Sequence, residues 1–81
     1  MELIDVARGH LRVKDGIRSL TIFGEAHLRQ RGSPDFVLYR NSIGKWDAPD
    51  DREDLTSSEM KEVLQFLQEE FSRRKMLLEI V

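Results

Sequence analysis

The chain has 81 residues, 40% hydrophobic and 35% charged, with a net charge of −2, a composition typical of one small soluble domain spanning residues 1–81. A core of this size leaves little room for a deep enzymatic cleft, and no apolar run approaches the roughly 18 residues of a membrane span. The absence of cysteine excludes disulfides, thiol catalysis and cysteine-ligated zinc, and it favours the reducing cytoplasm.

The N-terminal half has the patterns of β-strands. A short apolar start at residues 3–6 precedes an alternating segment at 10–14, as in a half-buried strand. Asp15-Gly16 predicts a tight hairpin turn, because glycine adopts the positive φ that such a turn needs. Residues 17–23 then form the returning strand of the hairpin.

The hairpin has a predicted register. With Asp15-Gly16 as a two-residue loop, Leu11 pairs with Leu20 and Val13 with Arg18. One face of the hairpin then carries four apolar side chains, which supports the pairing: Leu11, Val13, Leu20 and Ile22.

Further strands follow the hairpin. Gly24 is expected to break the returning strand, and residues 26–29 to form another short one. Residues 35–40 contain four consecutive apolar side chains, a pattern that favours a central strand covered on both faces.

A helix is predicted after residue 55. Thr56-Ser57-Ser58-Glu59 is a capping box, and Leu55 and Met60 are spaced as a hydrophobic staple. The apolar stripe of this helix follows the 3.6-residue period and predicts a buried face: Met60, Val63, Leu64, Leu67 and Phe71. Phe66 lies off this stripe and either widens the buried face or marks a contact.

The predicted elements define a fold class. Residues 76–81 read as a final strand that returns to the sheet after the helix. The order predicts an α+β domain, with a mostly antiparallel sheet of about four to six strands and one helix of the C-terminal half packed on one face, followed by that final strand.

The most informative segment connects residues 35–40 to the helix. It holds the only tryptophan, Trp46, followed by five acidic residues within eight positions. Residues 1–45 carry eight Lys/Arg and five Asp/Glu, a charge of +3, whereas residues 46–81 carry five and ten, a charge of −5. This favours a surface that meets a partner, although Trp46 could instead fold back over the sheet edge, with Pro49 fixing the turn and the acidic residues simply solvated.

Catalysis and metal binding have weak support. No phosphate-binding loop, dinucleotide fingerprint or nucleophile elbow is present. His10 and His27 lie on predicted strands and would bind a metal or act as acid and base only if they faced the same side. The acidic segment offers oxygens to calcium without the spacing or the glycine of an EF-hand. We therefore expect no enzyme activity, no cofactor and no metal.

Nucleic-acid binding is the main alternative. Phe23 or Tyr39 could serve as a stacking platform beside a stripe of basic strand residues. The net negative charge argues against this reading and makes nucleic acid an unlikely partner. The basic residues concerned are Arg8, Arg12, Lys14, Arg18, Arg29 and Arg31.

Residues in and around the acidic segment together resemble a known family. The pattern comprises Asp35-Phe36-Val37-Leu38-Tyr39, then Ser42-Ile43, then Trp46-Asp47-Ala48-Pro49. An acidic turn and a Thr-x-x-Glu helix cap at residues 56–59 complete it. In this order the chain resembles immunity protein family 74 of bacterial polymorphic toxin systems.

The resemblance covers roughly residues 8–81 and is most convincing over 35–71. Two departures stand out. Arg74-Lys75 ends the helix where the family has a glycine cap, and Asp50 stands in a turn region where a histidine is frequent.

The resemblance implies a cytoplasmic antidote that binds a cognate toxin domain and performs no reaction of its own. Nuclease toxins are commonly basic because they bind phosphate, so a nuclease is a reasonable target for an acidic surface. The sequence leaves open whether the protein is a monomer or a homodimer. The toxin-interface candidates are Trp46, Asp47, Asp50, Asp51, Glu53 and Asp54.

Overall fold

The computed structural model describes residues 1–27 and 32–81 of the chain. Over these residues the fold consists of a mostly antiparallel sheet and one α-helix, which confirms the predicted α+β class and the final strand. In chain order the elements are β1 (Glu2–Val6), β2 (His10–Asp15), β3 (Arg18–Ala26), β4 (Phe36–Leu38), a 3₁₀ turn (Arg40–Ser42), α1 (Ser57–Arg73) and β5 (Leu78–Ile80).

The five strands lie in the sheet in chain order, β1-β2-β3-β4-β5. The first three pairings are antiparallel, and β4 pairs with β5 in parallel. A parallel pair needs a crossover connection, because the chain must return to the end of the sheet from which it started. Helix α1 lies in this crossover, and the acidic segment connects β4 to the start of α1.

The β2–β3 hairpin turns one residue later than predicted. Asp15 pairs with Arg18, so the two-residue loop is Gly16-Ile17 rather than Asp15-Gly16. Gly16 adopts a φ of 63° at the first loop position, where a left-handed conformation suits glycine. Ile17 occupies the second position and is 94% exposed.

The predicted hairpin register is consequently wrong by two residues. Leu11 pairs with Ile22 rather than with Leu20, and Val13 pairs with Leu20 rather than with Arg18. Because side chains alternate with a period of two, this shift leaves every side chain on its predicted face. The four apolar residues of the hairpin therefore share one buried face, as expected.

Gly24 does not end β3, contrary to the prediction. The strand continues to Ala26 and pairs with β4 along residues 24–26. A Cβ atom on Gly24 would collide with the Val37 carbonyl oxygen and would lie 2.5 Å from Cε1 of Phe36. Glycine is thus required here by a close approach of two strands rather than by a turn. Residues 28–29 of the predicted separate strand lie outside the described residues.

Strand β4 lies inside the sheet, between β3 and β5, as its apolar run predicted. Phe36 and Leu38 are buried on the helix side. Val37 points to the other face and is only half-buried, so the expected burial of both faces is wrong. A single helix covers only one face of a sheet, so the other face is left largely to polar side chains.

Helix α1 begins as its sequence predicts. The Glu59 amide donates to the Thr56 hydroxyl and the Thr56 amide to the Glu59 carboxylate, both at 3.0 Å. Val63, Leu67 and Phe71 are buried against the sheet, and half-buried Phe66 widens this face. In the part of the chain that the structure describes, no helix is long and apolar enough to cross a bilayer.

The end of α1 forms a Schellman motif without glycine. The Lys75 amide donates to the Ser72 carbonyl at 3.0 Å, and the Met76 amide to the Phe71 carbonyl at 2.8 Å. This pattern places Lys75 at the position that glycine normally occupies, with a φ of 58°. The departure from the family pattern noted in the sequence is therefore a strained backbone position.

Replacing Lys75 with glycine should stabilise the protein by about 0.5–1 kcal/mol, because relief of the left-handed strain exceeds the added freedom of the unfolded chain. Urea unfolding followed by circular dichroism measures the change. Lys75→Ala is the matched control, since it removes the same side chain but keeps a Cβ atom at the left-handed φ of 58°. Equal effects of the two substitutions would contradict the assignment of strain to Lys75.

The core lies between α1 and the sheet, and the segment that follows β4 completes it. The rings of Phe36 and Phe71 lie 6.3 Å apart at its centre. Ile43 and Trp46 enter the core from the connection between β4 and α1, exposed by only 4% and 3%. The remaining buried apolar residues are Leu3, Leu11, Val13, Leu20, Ile22, Leu38, Val63 and Leu67.

Candidate functional site

Residues 45–54 form a closed loop, here called the acidic loop. Lys45 and Asp54 form an isolated antiparallel bridge, and next to it the Leu55 amide donates to the Gly44 carbonyl at 2.8 Å. These contacts bring the two ends of the loop together, as in a compact Ω-loop. The peptide bond between Ala48 and Pro49 within the loop is cis.

Trp46 is a residue of the acidic loop whose side chain is buried in the protein core. Its side chain is 3% exposed and belongs to the main core cluster. The guanidinium carbon of Arg18 lies 4.1 Å from the centre of the Trp46 ring, within the range of a cation–π contact. The free protein therefore does not present this tryptophan at its surface, and the ring supports the loop from below.

Arg18 links three parts of the fold. Besides Trp46 it contacts the carboxylates of Asp15 at 3.7 Å and Glu59 at 3.3 Å. The Thr56 amide hydrogen bond, with the nearby Arg18 charge, lowers the pKa of Glu59. One guanidinium thus contacts the hairpin turn, the acidic loop and the first turn of α1.

Asp47 attaches the loop to the opposite face of β3. Its carboxylate accepts hydrogen bonds from the hydroxyls of Ser19 at 3.1 Å and Thr21 at 3.0 Å, and Arg12 lies 3.9 Å away. Its amide donates to the Ser19 carbonyl at 2.8 Å, where short β4 no longer pairs with β3. Asp47 is therefore a structural anchor with two hydroxyl donors.

Ser42 continues this attachment along β3. Its hydroxyl accepts from the Phe23 amide at 3.0 Å and donates to the Tyr39 carbonyl at 2.7 Å. The sequence marks Ser42 only as part of the family-like pattern and gives no sign of this role. The sequence also does not predict the contacts of the loop with Arg18, Ser19 and Thr21, because each of these residues lies more than twenty residues from the loop.

The other four predicted interface residues project from the loop. Asp51, Glu53 and Asp54 are exposed and Asp50 is half-buried. No side-chain hydrogen bond or ion pair of these four occurs among residues 1–27 and 32–81. We call them the acidic tip; with Arg52 between them, residues 50–54 carry four negative charges and one positive, −3 in all.

The two histidines do not come together. His10 pairs with Asp5 at 3.1 Å, and His27 lies 3.9 Å from Glu25. His10 stands opposite Phe23, and His27 is four residues further along, roughly 13 Å at strand spacing. Among the described residues no three His, Cys, Asp or Glu side chains are grouped to hold a metal.

The basic residues of the nucleic-acid alternative do not form one stripe. Arg12 and Arg18 lie on opposite faces of the hairpin and both contact carboxylates. Phe23 is 56% exposed and Tyr39 half-buried. Arg29 and Arg31 lie outside the described residues. This geometry offers no specific support for a nucleic-acid surface.

Comparisons with known proteins find one family. The family model described as immunity protein 74 matches residues 3–81, almost the whole chain. No curated protein and no solved structure matches the chain significantly. The match confirms the resemblance, which covered roughly residues 8–81, and extends it to residue 3 in β1.

Proposed function

The chain belongs to the immunity protein 74 family, and from that membership we propose that it is a non-catalytic antidote that binds and neutralises a cognate toxin domain. We also propose that residues 1–81 act as one domain in the cytoplasm, the compartment that a cysteine-free sequence favours.

The acidic tip carries the proposal for the binding surface. Its four carboxylates are without protein partners among the described residues, while the base of the same loop is fixed by Trp46 and Asp47. Charges that are held in place and left solvated can steer a partner of opposite sign and fix its orientation. The partner that fits is a basic protein, such as a nuclease, since nucleases commonly carry basic residues that bind phosphate.

Trp46 and Asp47 act within this proposal by holding the loop. A buried tryptophan that supports a surface loop affects binding through the shape of that loop. We therefore assign direct contact to the acidic tip, and support to the two residues at its base.

Protection of cells is the decisive experiment. The proposal predicts that a toxin gene lies beside the gene of this protein. The protein is co-expressed with the C-terminal domain of that toxin, and growth is compared with that of cells expressing the toxin domain alone. Restored growth together with a stable complex supports the proposal. If the protein neither binds nor protects against that neighbour, the proposed function is wrong.

Neutralising the acidic tip should slow association with the toxin domain. The variant Asp50→Asn/Asp51→Asn/Glu53→Gln/Asp54→Asn is expected to lower the association rate constant about tenfold or more at low salt, because electrostatic steering is lost. Stopped-flow or surface-based kinetics at several salt concentrations measures the rate constant and its salt dependence.

A variant with the same change of net charge elsewhere is the control. Glu2→Gln/Glu62→Gln/Glu69→Gln/Glu79→Gln also removes four exposed carboxylates and leaves the loop intact. The proposal predicts a much smaller effect on the association rate constant. Equal losses in the two variants would show that net charge, rather than the acidic tip, attracts the toxin.

A further inference from the structure

We infer that Arg18 is a positioning residue, which holds the acidic loop in the conformation that binds the toxin. This inference rests on the proposed function and concerns the same surface. The sequence offers Arg18 only as one of several basic residues of a possible nucleic-acid stripe.

The position of Arg18 supports this role. It is the first residue of β3, directly after the hairpin turn, and its side chain lies on the helix side of the sheet with Leu20 and Ile22. From there the guanidinium stacks on Trp46 at 4.1 Å and reaches Glu59 at 3.3 Å. One planar group therefore joins the base of the loop to the capped start of α1.

Arg18 also lies beside the acidic tip. It lines a polar cleft of about 240 Å³ together with Trp46 and with other residues of the loop, namely Pro49, Asp50, Arg52 and Glu53. A positive charge beside Asp50 and Glu53 offsets the repulsion between these carboxylates. Arg18 thus stabilises both the base and the charged part of the loop.

The shape of the arginine side chain matters. A guanidinium can stack on an aromatic ring and donate to a carboxylate at the same time, whereas an ammonium is a compact point charge. Lysine at position 18 could keep an ion pair with Glu59 but would lose the planar stacking on Trp46. A loop ordered before binding loses less conformational freedom when the complex forms, which favours affinity.

Amide hydrogen exchange of the free protein tests the positioning role. In Arg18→Ala we expect exchange of the hydrogen-bonded loop amides of Asp47, Asp50 and Leu55 to rise about tenfold or more, while exchange at residues 63–71 of α1 stays near that of the unaltered protein. Arg18→Lys should give an intermediate rise. Lys14→Ala, which removes an exposed cation from the other face of the hairpin, is the control and should leave the loop unchanged.

Binding completes the test. Arg18→Ala should weaken affinity for the toxin domain encoded beside the protein about tenfold, mainly through faster dissociation, with the intermediate loss again in Arg18→Lys. Unchanged loop exchange, or an equal rise throughout the chain, overturns the positioning role. Failure of the unaltered protein to bind that toxin domain overturns the proposed function. Hydrogen exchange still shows in that case whether Arg18 orders the acidic loop of the free protein.

Discussion

Replacing Trp46 with alanine should lower the free energy of unfolding by about 3–5 kcal/mol, the usual cost of truncating a large buried aromatic side chain. The ring is 3% exposed and belongs to the main core cluster. Domains commonly have only about 5–15 kcal/mol of stability in total, so a large share of this would be lost. Urea unfolding followed by far-ultraviolet circular dichroism measures the change without needing tryptophan fluorescence.

Two comparisons make the Trp46 result interpretable. Trp46→Phe keeps an apolar ring in the core and should cost clearly less than the alanine change. Lys45→Ala alters the exposed neighbouring residue and should change the stability by less than about 0.5 kcal/mol. Retained stability together with lost toxin binding in Trp46→Ala would instead show that the tryptophan is an interface anchor.

Local patterns predicted most of the fold. The capping box at residues 56–59 and the apolar stripe of α1 depend on neighbours within one or two turns, and both are present. The order of strands, helix and final strand also follows from local periodicity. The hairpin register failed because Asp15-Gly16 and Gly16-Ile17 are both acceptable two-residue loops, and they place the same side chains on the same faces.

The sequence singled out the candidate loop but did not predict how it is built. The clustering of Trp46 with five acidic residues drew attention to residues 46–54, and their binding role stays a prediction. Which of these residues are buried depends on partners that are remote in the chain: Arg18 beneath Trp46, and Ser19 and Thr21 around Asp47. No periodicity or spacing within the loop carries this information. The sequence therefore could not show which loop residues form the buried base and which form the exposed acidic tip.

The division has a physical reason. Bringing several carboxylates together on a flexible loop is unfavourable, since like charges repel and the loop loses conformational freedom. A loop whose base is buried and hydrogen-bonded overcomes this repulsion with core packing. The acidic tip can then keep its charges unpaired, which is the condition that we propose for steering a basic partner.

Replacing Gly24 with alanine should lower the free energy of unfolding by about 3 kcal/mol, at the upper end of the usual cost of overpacking. The new Cβ would collide with the Val37 carbonyl oxygen and press on the Phe36 ring. The ring could rotate, but the carbonyl belongs to the backbone of β4, so β3 and β4 would have to separate. Thermal and urea unfolding of Gly24→Ala and of the unaltered protein measures the change in the free energy of unfolding.

Gly9→Ala is the matched control for Gly24→Ala. Both substitutions add one methyl group, but a Cβ on Gly9 meets no atom within 4 Å, so its effect should be small. The Gly24 variant should also loosen the acidic loop, because the chain leaves β4 through Tyr39 and Ser42, which bind the Phe23 backbone next to Gly24. Equal stability of the two alanine variants would contradict the close approach of β3 and β4, and with it the fixed path of the chain into the loop.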